Sequence, residues 1–402
     1  MVGPDFVKPE APLEQEWLKA RDASIKTEAS DYKDWWTVFD DTVLNSLVES
    51  AYQQNLPLQI SGLRILQARA QLGAVVGNLY PQLQQGRGGV DYTKASENAP
   101  NTLGGDDSFW QYNAGFDAAW ELDVWGKYRR AIESGVANLE TSIASYDDVL
   151  VSLTAEVART YVLLRTFEER LEIARQNVKI QGRSLEIAEI RFKAGAVTEL
   201  DVVQARSLLR DTDASIPRFE ANIRQTKNAL AILLGILPGE IDGLISGKRI
   251  IPKAPPEVVV DIPAELMRRR PDIRLAEYQI ATQTPLIGVS KAELLPAFQL
   301  FGSIGLASSN SKFTKSGGER GSSFSDLFDS DSLEFFGGPS FTWNLFNYGR
   351  IKNRVRTQDA LLQQLIVNYE DTVLRAQQEV EDSLVGFLGR QEEAGYLLDS
   401  VK

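Results

Sequence analysis

The sequence predicts a mixed α+β membrane protein that combines long coiled-coil helices with a few long, two-faced β-strands. Three observations support this fold class. An apolar heptad runs through one long segment, strict apolar–polar alternation runs through another, and both features occur a second time further along the chain. A compact soluble domain needs neither a rod-like helix nor strands of that length.

The heptad lies between Trp125 and Phe192, a segment without proline. Residues seven apart are apolar along one seam, and a companion seam is apolar except at Thr160. The first seam is Ile143, Leu150, Val157, Leu164, Leu171 and Val178, and the second is Tyr146, Leu153, Phe167 and Ala174. A 3.5-residue period makes a narrow stripe that must face another helix. At ~1.5 Å per residue, it predicts a helix roughly 100 Å long.

The second copy is found by a shift of 223 positions. That shift places Trp120–Lys127 on Trp343–Arg350 without a gap, and the heptad continues after it. A tandem repeat of this size indicates two copies of one structural unit. We expect each copy to follow the order helix, strand, loop, strand, long helix.

Composition narrows the range of functions. The chain has 402 residues, a formal charge of −12, and neither cysteine nor histidine. The negative charge argues against a nucleic-acid partner, and the missing residue types remove disulfides, thiolate metal sites and the usual general base. No apolar run reaches the ~20 residues of a membrane-spanning helix, and no signal peptide is recognisable. The sequence therefore predicts no enzyme and no cofactor.

The first helices are expected after an irregular start. Residues 1–40 have little periodicity and should lie as a tail over another surface. Asp41 is placed to cap a helix that continues through Ala51. After the break at 55–57, a second helix should extend to Leu79.

The later helices carry two prolines, and we expect a kink or a local end at the first and an interruption at the second. The helix over 198–234 contains Pro217, and the helix over 264–293 contains Pro285 after Thr284. Thr198 and Asp201 have the spacing of a capping-box variant. A proline-rich stretch from 251 to 263 should link the two copies.

The alternation is clearest in the strand Trp110–Leu122. Its apolar face is Trp110, Tyr112, Ala114, Phe116, Ala118, Trp120 and Leu122, and its polar face continues to Asp123 through Gln111, Asn113, Gly115, Asp117, Ala119 and Glu121. This length exceeds the ~5–6 residues of a soluble sandwich strand. It matches the ~9–11 residues of an outer-membrane barrel strand, which carries aromatic residues at both interfaces. A weaker partner strand over 82–93 and a rim loop over 94–107 precede it.

The second copy repeats this hairpin. One strand runs from Phe298 to Leu306, a loop follows over 308–332, and a return strand carries Phe341, Trp343 and Leu345 on one face. Four strands cannot close a barrel, and open edges are not tolerated in lipid. A barrel must therefore combine several chains, which predicts a homo-oligomer.

Candidate functional residues fall into three groups. Asp117, Glu121 and Asp123 either line a water-filled lumen that favours cations or form a solvated polar face. Trp110, Trp120 and Trp343 are either membrane-interface aromatics or core residues. The small residues at the expected hairpin tip either dock a partner or only close a tight turn, and both roles are compatible; these residues are Gly195, Ala196, Val197 and Thr198.

Charged clusters have simpler interpretations. Arg268–Arg270 should supply ion pairs at a helix boundary rather than an anion site. The pairs Asp147–Asp148 and Glu370–Asp371 resemble catalytic carboxylate pairs only in spacing. On coiled-coil flanks such pairs are usually solvated or paired with basic residues.

Several segments together resemble the outer-membrane factors of tripartite export systems, the TolC family, in its OprM-like (NodT-type) branch. These segments are Val2–Pro9, Trp120–Lys127, Arg191–Val202, Leu233–Gly235 and Ile262–Ile273. The resemblance covers essentially the whole chain. It implies a homotrimer with four strands per chain in one twelve-stranded outer-membrane β-barrel, continued by a long α-helical coiled-coil tunnel across the periplasm.

The resemblance also implies a division of the chain. Residues 1–79 would form the N-terminal segment and first helices, 80–125 the first barrel hairpin, and 126–235 the long helical hairpin of the tunnel. Residues 236–293 would form the linker and the helices opening the second copy, 294–347 the second barrel hairpin, and 348–402 a truncated tunnel helix. The repeat would place the end of a returning helix at about position 458. The branch usually carries a lipidated cysteine before the Val2–Pro9 segment, and none stands here.

The implied function is a passive exit duct of a tripartite efflux pump, for drugs or other small toxic compounds, with no catalysis. The implied partners are a periplasmic adaptor that meets the tip near Gly195, an inner-membrane pump of the resistance-nodulation-division type, and outer-membrane lipid. The implied location is the outer membrane of a Gram-negative bacterium, extending into the periplasm. Two alternatives stay open: a conduit for type I protein secretion, and a periplasmic coiled-coil scaffold.

Overall fold

A computed structural model describes residues 1–20, 22–27, 33–96, 98, 108–247, 250–311 and 323–401. The chain divides into two compact units, each built from three separate segments. The first unit contains Met1–Pro9, Gln67–Thr141 and Ala276–Asn368, and the second contains Glu10–Leu66, Ser142–Leu275 and Tyr369–Lys402.

The helices follow the predicted order. They are α1 (Thr42–Gln54), α2 (Leu56–Gly77), α3 (Lys127–Lys193), α4 (Glu199–Leu234), α5 (Ile241–Leu244), α6 (Pro263–Arg269), α7 (Pro271–Ala292) and α8 (Arg350–Val401). The 67 residues of α3 form one uninterrupted helix, as the heptad predicts. Asp41 caps α1 as expected, because its Oδ1 accepts from the backbone N–H groups of Val43 and Leu44 at 2.9 and 3.0 Å. Within the described residues, every helix is too short or too polar to cross a bilayer.

The predicted local end at Pro217 and the predicted interruption at Pro285 are wrong, whereas a kink at Pro217 stays a prediction. α4 continues through Pro217 and α7 continues through Pro285. The break instead falls at Arg270, between α6 and α7, where the backbone is extended with φ −60° and ψ 126°. A residue that precedes proline is pushed out of the helical region, and Arg270 precedes Pro271. At Pro285 the helix loses one N–H donor, while the adjacent Thr284 hydroxyl donates to the Ile280 carbonyl at 2.8 Å.

Within the described residues, six strands form two sheets. The strands are β1 (Ile25–Thr27), β2 (Leu83–Lys94), β3 (Ser108–Leu122), β4 (Val258–Val260), β5 (Ala297–Ser309) and β6 (Leu333–Thr342). The first unit holds an antiparallel four-stranded sheet in the order β2-β3-β5-β6. In the second unit, β1 and β4 form a short parallel pair that the sequence did not predict. Parts of the two predicted strand-connecting loops, 99–107 and 312–322, lie outside the described residues.

The return strand β6 lies earlier than predicted. It starts at Leu333 and ends at Thr342, so Trp343 and Leu345 follow the strand instead of belonging to it. The chain turns at this point, because the Leu345 N–H donates to the Trp343 carbonyl at 3.1 Å. The consecutive aromatic residues Phe335 and Phe336 hide the alternation at the start of the strand.

The core of the second unit surrounds the middle of α3. Fully buried apolar residues come from α1, α3, α4 and α5, and they include Leu44, Leu47, Val157, Tyr161, Leu164, Leu230, Leu234 and Ile241. The heptad seam therefore packs as expected at Val157 and Leu164. Gly235 ends α4 with φ +68°, and a Cβ there would lie 2.3 Å from the Gln54 carbonyl oxygen. Only glycine fits this close approach.

The irregular start lies against another surface, as predicted. In the second unit the Glu14 backbone N–H donates to the Gln377 side-chain oxygen at 3.0 Å, and the Gln377 amide donates to the Pro12 carbonyl at 3.0 Å. Trp17 is buried, and its indole N–H donates to the Asp261 carbonyl at 2.8 Å. Residues 12–17 are thus fixed by backbone contacts that no local pattern encodes.

Candidate channel surfaces

The four-stranded sheet has one apolar face, because directly paired residues of antiparallel strands point to the same side. Its large members are Val90, Tyr92, Trp110, Tyr112, Phe116, Trp120, Leu122, Phe298, Leu300, Ile304, Leu306, Leu333, Phe335 and Phe341. Within the chain they are poorly covered, with Phe335 82% exposed and Phe116 70% exposed. An exposed apolar face of this extent marks a surface that contacts lipid or another protein.

The opposite face is mainly polar. It carries Gln85, Arg87, Asp91, Gln111, Asn113, Asp117, Glu121, Gln299, Ser303, Glu334 and Ser340. Asp117 lies on this face, where its Oδ1 is 3.6 Å from the Arg87 Nε. Phe109, Phe301 and Phe336 are the aromatic exceptions on this face, and the rings of Phe301 and Phe336 contact each other at 5.3 Å.

The three candidate tryptophans differ in their surroundings. Trp110, near the start of β3, is 42% exposed and its ring lies 5.0 Å from that of Tyr92. The indole N–H of Trp120 donates to the Leu79 carbonyl at 3.0 Å, and that of Trp343 donates to the Leu294 carbonyl at 3.0 Å. An amphipathic ring with its N–H bonded to backbone is compatible with either predicted role, and the interface role stays a prediction.

Glu121 and Asp123 lie where β3 leads into α3. The Asp123 carboxylate follows the end of the strand and accepts from the backbone N–H groups of Tyr128 and Arg129, both at 3.0 Å. It therefore satisfies donors of the first helical turn and complements the helix dipole, instead of continuing the polar face of the strand. Glu121 accepts from Lys127 Nζ and from the Tyr128 hydroxyl, both at 3.0 Å. Burial, and then the bond to Glu121, raises the pKa of Tyr128, so this hydroxyl keeps its proton.

The hairpin between α3 and α4 closes in a Schellman-type turn. Gly195 has φ +71°, and the Ala196 backbone N–H donates to the Arg191 carbonyl at 2.9 Å. Gly195 and Ala196 are exposed and Val197 is half-buried. The tip therefore presents small side chains on a backbone with a defined geometry.

The predicted capping-box variant of Thr198 and Asp201 lies at the start of α4, directly after the tip. The backbone N–H and the hydroxyl of Thr198 both donate to Asp201 Oδ2, at 2.8 and 2.7 Å. These bonds, the hydroxyl first, lower the pKa of Asp201. The first turn of α4 is thus fixed next to the exposed tip, and Thr198 itself is exposed.

A buried ion pair inside the helical core was missed by sequence reasoning. Arg165 on α3 is fully buried and its Nη1 lies 2.7 Å from Glu168 Oε2, while its Nη2 donates to the Ile245 carbonyl at 3.1 Å. The guanidinium lies 5.0 Å from the Tyr161 ring centroid, and the Tyr161 hydroxyl donates to Asp41 Oδ2 at 2.9 Å. This network joins α3 to the start of α1 and to the end of α5.

No local signal distinguishes that pair. Arg183 and Glu186 have the same spacing on the same helix, at 3.1 Å, and both are mostly exposed. The one sequence feature that points to burial of Arg165 is its position next to Leu164, a residue of the heptad seam. The structure buries Leu164 fully.

The arginine triplet makes ion pairs at a helix boundary, as predicted. Arg268 lies 3.1 Å from Glu265 and Arg269 lies 3.1 Å from Asp261. Arg270 ends α6 and contacts Asp272 at 2.8 Å and Glu379 at 2.6 Å. All three arginines of the triplet therefore form ion pairs within the chain.

The first carboxylate pair is also engaged by arginine. Asp147 lies 3.1 Å from Arg274. Burial, and then repulsion from Asp272, raises the pKa of Asp148. This arrangement gives the pair a structural role in the helical unit.

Comparisons with known proteins agree with this geometry. A family model described as outer membrane efflux protein matches residues 47–236 and 262–402. Nodulation protein T of Rhizobium leguminosarum bv. viciae is 31% identical over 386 residues, which cover 96% of this chain and 75% of that protein. The solvent efflux pump outer membrane protein SrpC of Pseudomonas putida is 28% identical over 410 residues, which cover 99% of this chain and 83% of that protein.

A solved structure of the outer-membrane channel OprN superposes with a TM-score of 0.87 at 32% identity, over 98% of this chain and 84% of that one. The resemblance inferred from the sequence segments is therefore confirmed, and the family is one of channels rather than enzymes. The chain belongs to the outer membrane efflux protein family, and it is an efflux channel protein of the Gram-negative outer membrane.

Proposed function

We propose that three copies of the chain form one twelve-stranded barrel in the outer membrane, each copy contributing its four-stranded sheet. The observation that carries the proposal is the open sheet with an exposed aromatic face. Within the described residues, β2 pairs only with β3 and β6 pairs only with β5. Unpaired strand edges cannot persist in lipid, and closure with neighbouring copies removes them.

The two hairpins of the sheet are proposed to come from two structural repeats. Gly126 and Gly349 are 223 positions apart, have φ values of +83° and +82°, and each directly precedes a long helix. Trp120 and Trp343 are also 223 positions apart, and each bonds to a carbonyl two residues before a proline. These matching junctions support residues 80–125 and 294–347 as barrel hairpins, with 126–235 and 348–402 in the tunnel. Residues 1–79 and 236–293 would flank them.

The faces of the sheet are proposed to separate lipid from water. The apolar face would contact lipid, with Trp110, Trp120 and Trp343 near the two interfaces. Trp110 and Trp120 are ten residues apart on β3, which at ~3.3 Å per residue gives about 33 Å. Allowing for strand tilt, that spacing suits an apolar band ~25 Å tall. The polar face, with Asp117 and Glu121, would line the water-filled lumen, and Asp123 would lie at its base.

The helical hairpin is proposed to meet a periplasmic adaptor, with an inner-membrane pump supplying the energy. The exposed, defined tip at Gly195, Ala196, Val197 and Thr198 supports this role. Small molecules are the proposed cargo, because the relative from Pseudomonas putida is named as part of a solvent efflux pump. The duct itself would be passive.

The absence of cysteine from the sequence makes the barrel directly testable. Single cysteines would be placed at consecutive positions of β5, namely Ser303→Cys and Ile304→Cys, in protein reconstituted in liposomes. A charged, membrane-impermeant thiol reagent should label Ser303→Cys quickly and Ile304→Cys slowly, because only the former faces water. Equal labelling of both positions would contradict the proposed assignment of the faces.

The adaptor role needs a separate experiment in cells. Ala196→Cys, treated with a short thiol-to-amine cross-linker, should yield an adduct with a periplasmic protein. Arg183→Cys, further along α3 from the tip, is the matched control and should yield less of it. A tip that gives no more adduct than the control would remove the docking proposal while leaving the barrel proposal intact.

A further inference from the structure

We propose that Arg87 lowers the cation preference of the barrel, as a fixed guanidinium held among carboxylates on the polar face of the sheet. The inference rests on the proposed function, because it requires that face to line the water-filled path. It concerns small ions and charged organic solutes that pass the barrel.

Arg87 stands at one end of a row that crosses all four strands. The row is Arg87 on β2, Gly115 on β3, Gly305 on β5 and Glu334 on β6. Its two ends, on the edge strands, carry long side chains of opposite charge. Its two middle positions carry no side chain, so a long side chain can lie flat across the sheet.

The guanidinium occupies this gap. Its Nη2 donates to the Ser303 hydroxyl on β5 at 3.0 Å, and the same nitrogen lies 3.6 Å from Glu334 Oε1 on β6. Its Nε lies 3.6 Å from Asp117 Oδ1 on β3. The side chain thus reaches from its own edge strand across to groups on the other three strands.

The glycines keep the row open for a backbone reason. A Cβ on Gly115 would lie 2.7 Å from the Ile304 carbonyl oxygen, and a Cβ on Gly305 would lie 2.8 Å from the Ala114 carbonyl oxygen. The backbones of β3 and β5 are too close for any larger residue to fit without a shift. The two middle positions beneath the guanidinium therefore stay free of side chains, because the spacing of β3 and β5 requires glycine there.

The charges on this face are unequal. Its carboxylates are Asp91, Asp117, Glu334 and Glu121, the last of which pairs with Lys127 of α3. Arg87 is the single lysine or arginine on the polar face over the described residues of these four strands. Arg87 is 43% exposed and Glu334 is 54% exposed, so both face passing solute. Rings of fixed charge set the ion preference of a pore. Arg87 therefore reduces the cation preference that the carboxylates alone would impose.

The test is the reversal potential of the full-length protein in planar lipid bilayers under a KCl gradient. Arg87→Gln should raise the ratio of K⁺ to Cl⁻ permeability roughly five-fold, the size expected for three unit charges, one from each copy, each ~10 Å away in water with a screening length of ~10 Å. Glu334→Gln should lower the ratio. Arg87→Lys, which keeps the charge, should leave the ratio near that of the unsubstituted protein.

Lys94→Gln is the matched control, because it removes the same charge from the same strand but on the opposite face. It should leave the ratio unchanged. A conducting Arg87→Gln channel with an unaltered ratio would overturn the inference while leaving the channel proposal in place. An unsubstituted protein that does not assemble into a trimer would remove the proposed barrel and, with it, this inference.

Discussion

The helical core and the sheet use apolar side chains in opposite ways. Around the middle of α3, Leu164 and Tyr161 are completely buried by other parts of the same chain. On the sheet, Phe335 and Phe116 are 82% and 70% exposed. The heptad packs against other helices of the chain, whereas the described residues leave the apolar face of the strands largely uncovered. A sequence pattern thus identifies which face is apolar, but it does not identify what covers that face.

Breaking the buried ion pair of the helical core should have the largest effect on the free energy of unfolding. Arg165→Leu removes the guanidinium that faces the buried Glu168 carboxylate, and breaking a buried ion pair in this way costs about 3–5 kcal/mol of unfolding free energy. The double variant Arg165→Leu/Glu168→Leu should recover most of that loss, since a well-packed apolar pair often replaces a buried ion pair. Chemical denaturation in detergent, followed by far-UV circular dichroism, measures both.

The exposed pair of the same spacing supplies the control. Arg183→Leu should change the unfolding free energy by less than ~1 kcal/mol, as for other exposed ion pairs. If Arg165→Leu lowered the free energy of unfolding no more than Arg183→Leu, the buried network would stabilise the helical core no more than an exposed ion pair does.

Truncating one large apolar side chain in each region compares them directly. Leu164→Ala should cost about 2–5 kcal/mol, because it leaves a cavity in a packed core. Phe335→Ala should cost much less in detergent, because most of that ring has no protein neighbours to lose. The measurement is again denaturant unfolding, and equal losses would mean that the sheet face is covered by protein after all.

Removing the cap of α1 should have an intermediate effect. Asp41→Ala deletes the acceptor for two backbone N–H groups and for the Tyr161 hydroxyl, at a cost of about 1–2 kcal/mol. Asp41→Asn keeps a capping oxygen and should retain most of the stability. Thermal unfolding of the three proteins should rank them in the order Asp, Asn, Ala, and a stable Ala variant would contradict the capping role.

The smallest effect should come from Asp148 and should depend on pH. Because burial and the neighbouring Asp272 raise its pKa in the folded protein, folding is favoured when this carboxyl is protonated. The penalty appears as pH rises from the ordinary aspartate pKa of ~3.9 through the folded value, and it is complete above that value.

Asp148→Asn should therefore raise the melting temperature slightly at neutral pH, with the difference fading below about pH 4. The adjacent Asp147→Asn is the control with the opposite expected sign, because it breaks the 3.1 Å contact with Arg274. A melting temperature of Asp148→Asn that is lower than that of the unsubstituted protein at pH 7 would show that the attraction to Arg270 dominates.

The sequence predicted those features that depend on neighbouring residues. The continuous α3, the Asp41 cap and the contacts of Thr198 with Asp201 all follow from spacings of a few residues, and all are found. The break at Arg270 was signalled by Pro271, but Pro285 gave a stronger apparent signal because it lies inside the pattern of a longer helix. Proline is tolerated there once surrounding packing holds the helix.

Features that depend on distant residues were not predictable. The burial of Arg165 depends on α1 and α5, and the pairing of β1 with β4 joins segments more than two hundred residues apart. The start of β6 was obscured because Phe335 and Phe336 are apolar on opposite faces. The position of Arg87 among carboxylates required the register of four strands, which only the folded sheet supplies.

The strand order has a consequence for the time course of synthesis. The inner edge of β3 pairs with β5, yet α3, α4, α6 and α7 are all made between them. The first hairpin therefore has one free bonding edge while the ribosome makes these helices, including α3, the longest of the described helices. Contacts so distant in sequence form slowly, and free strand edges aggregate. Until the second hairpin is made, the newly synthesised protein therefore has to be bound by a chaperone or kept unfolded during its transport.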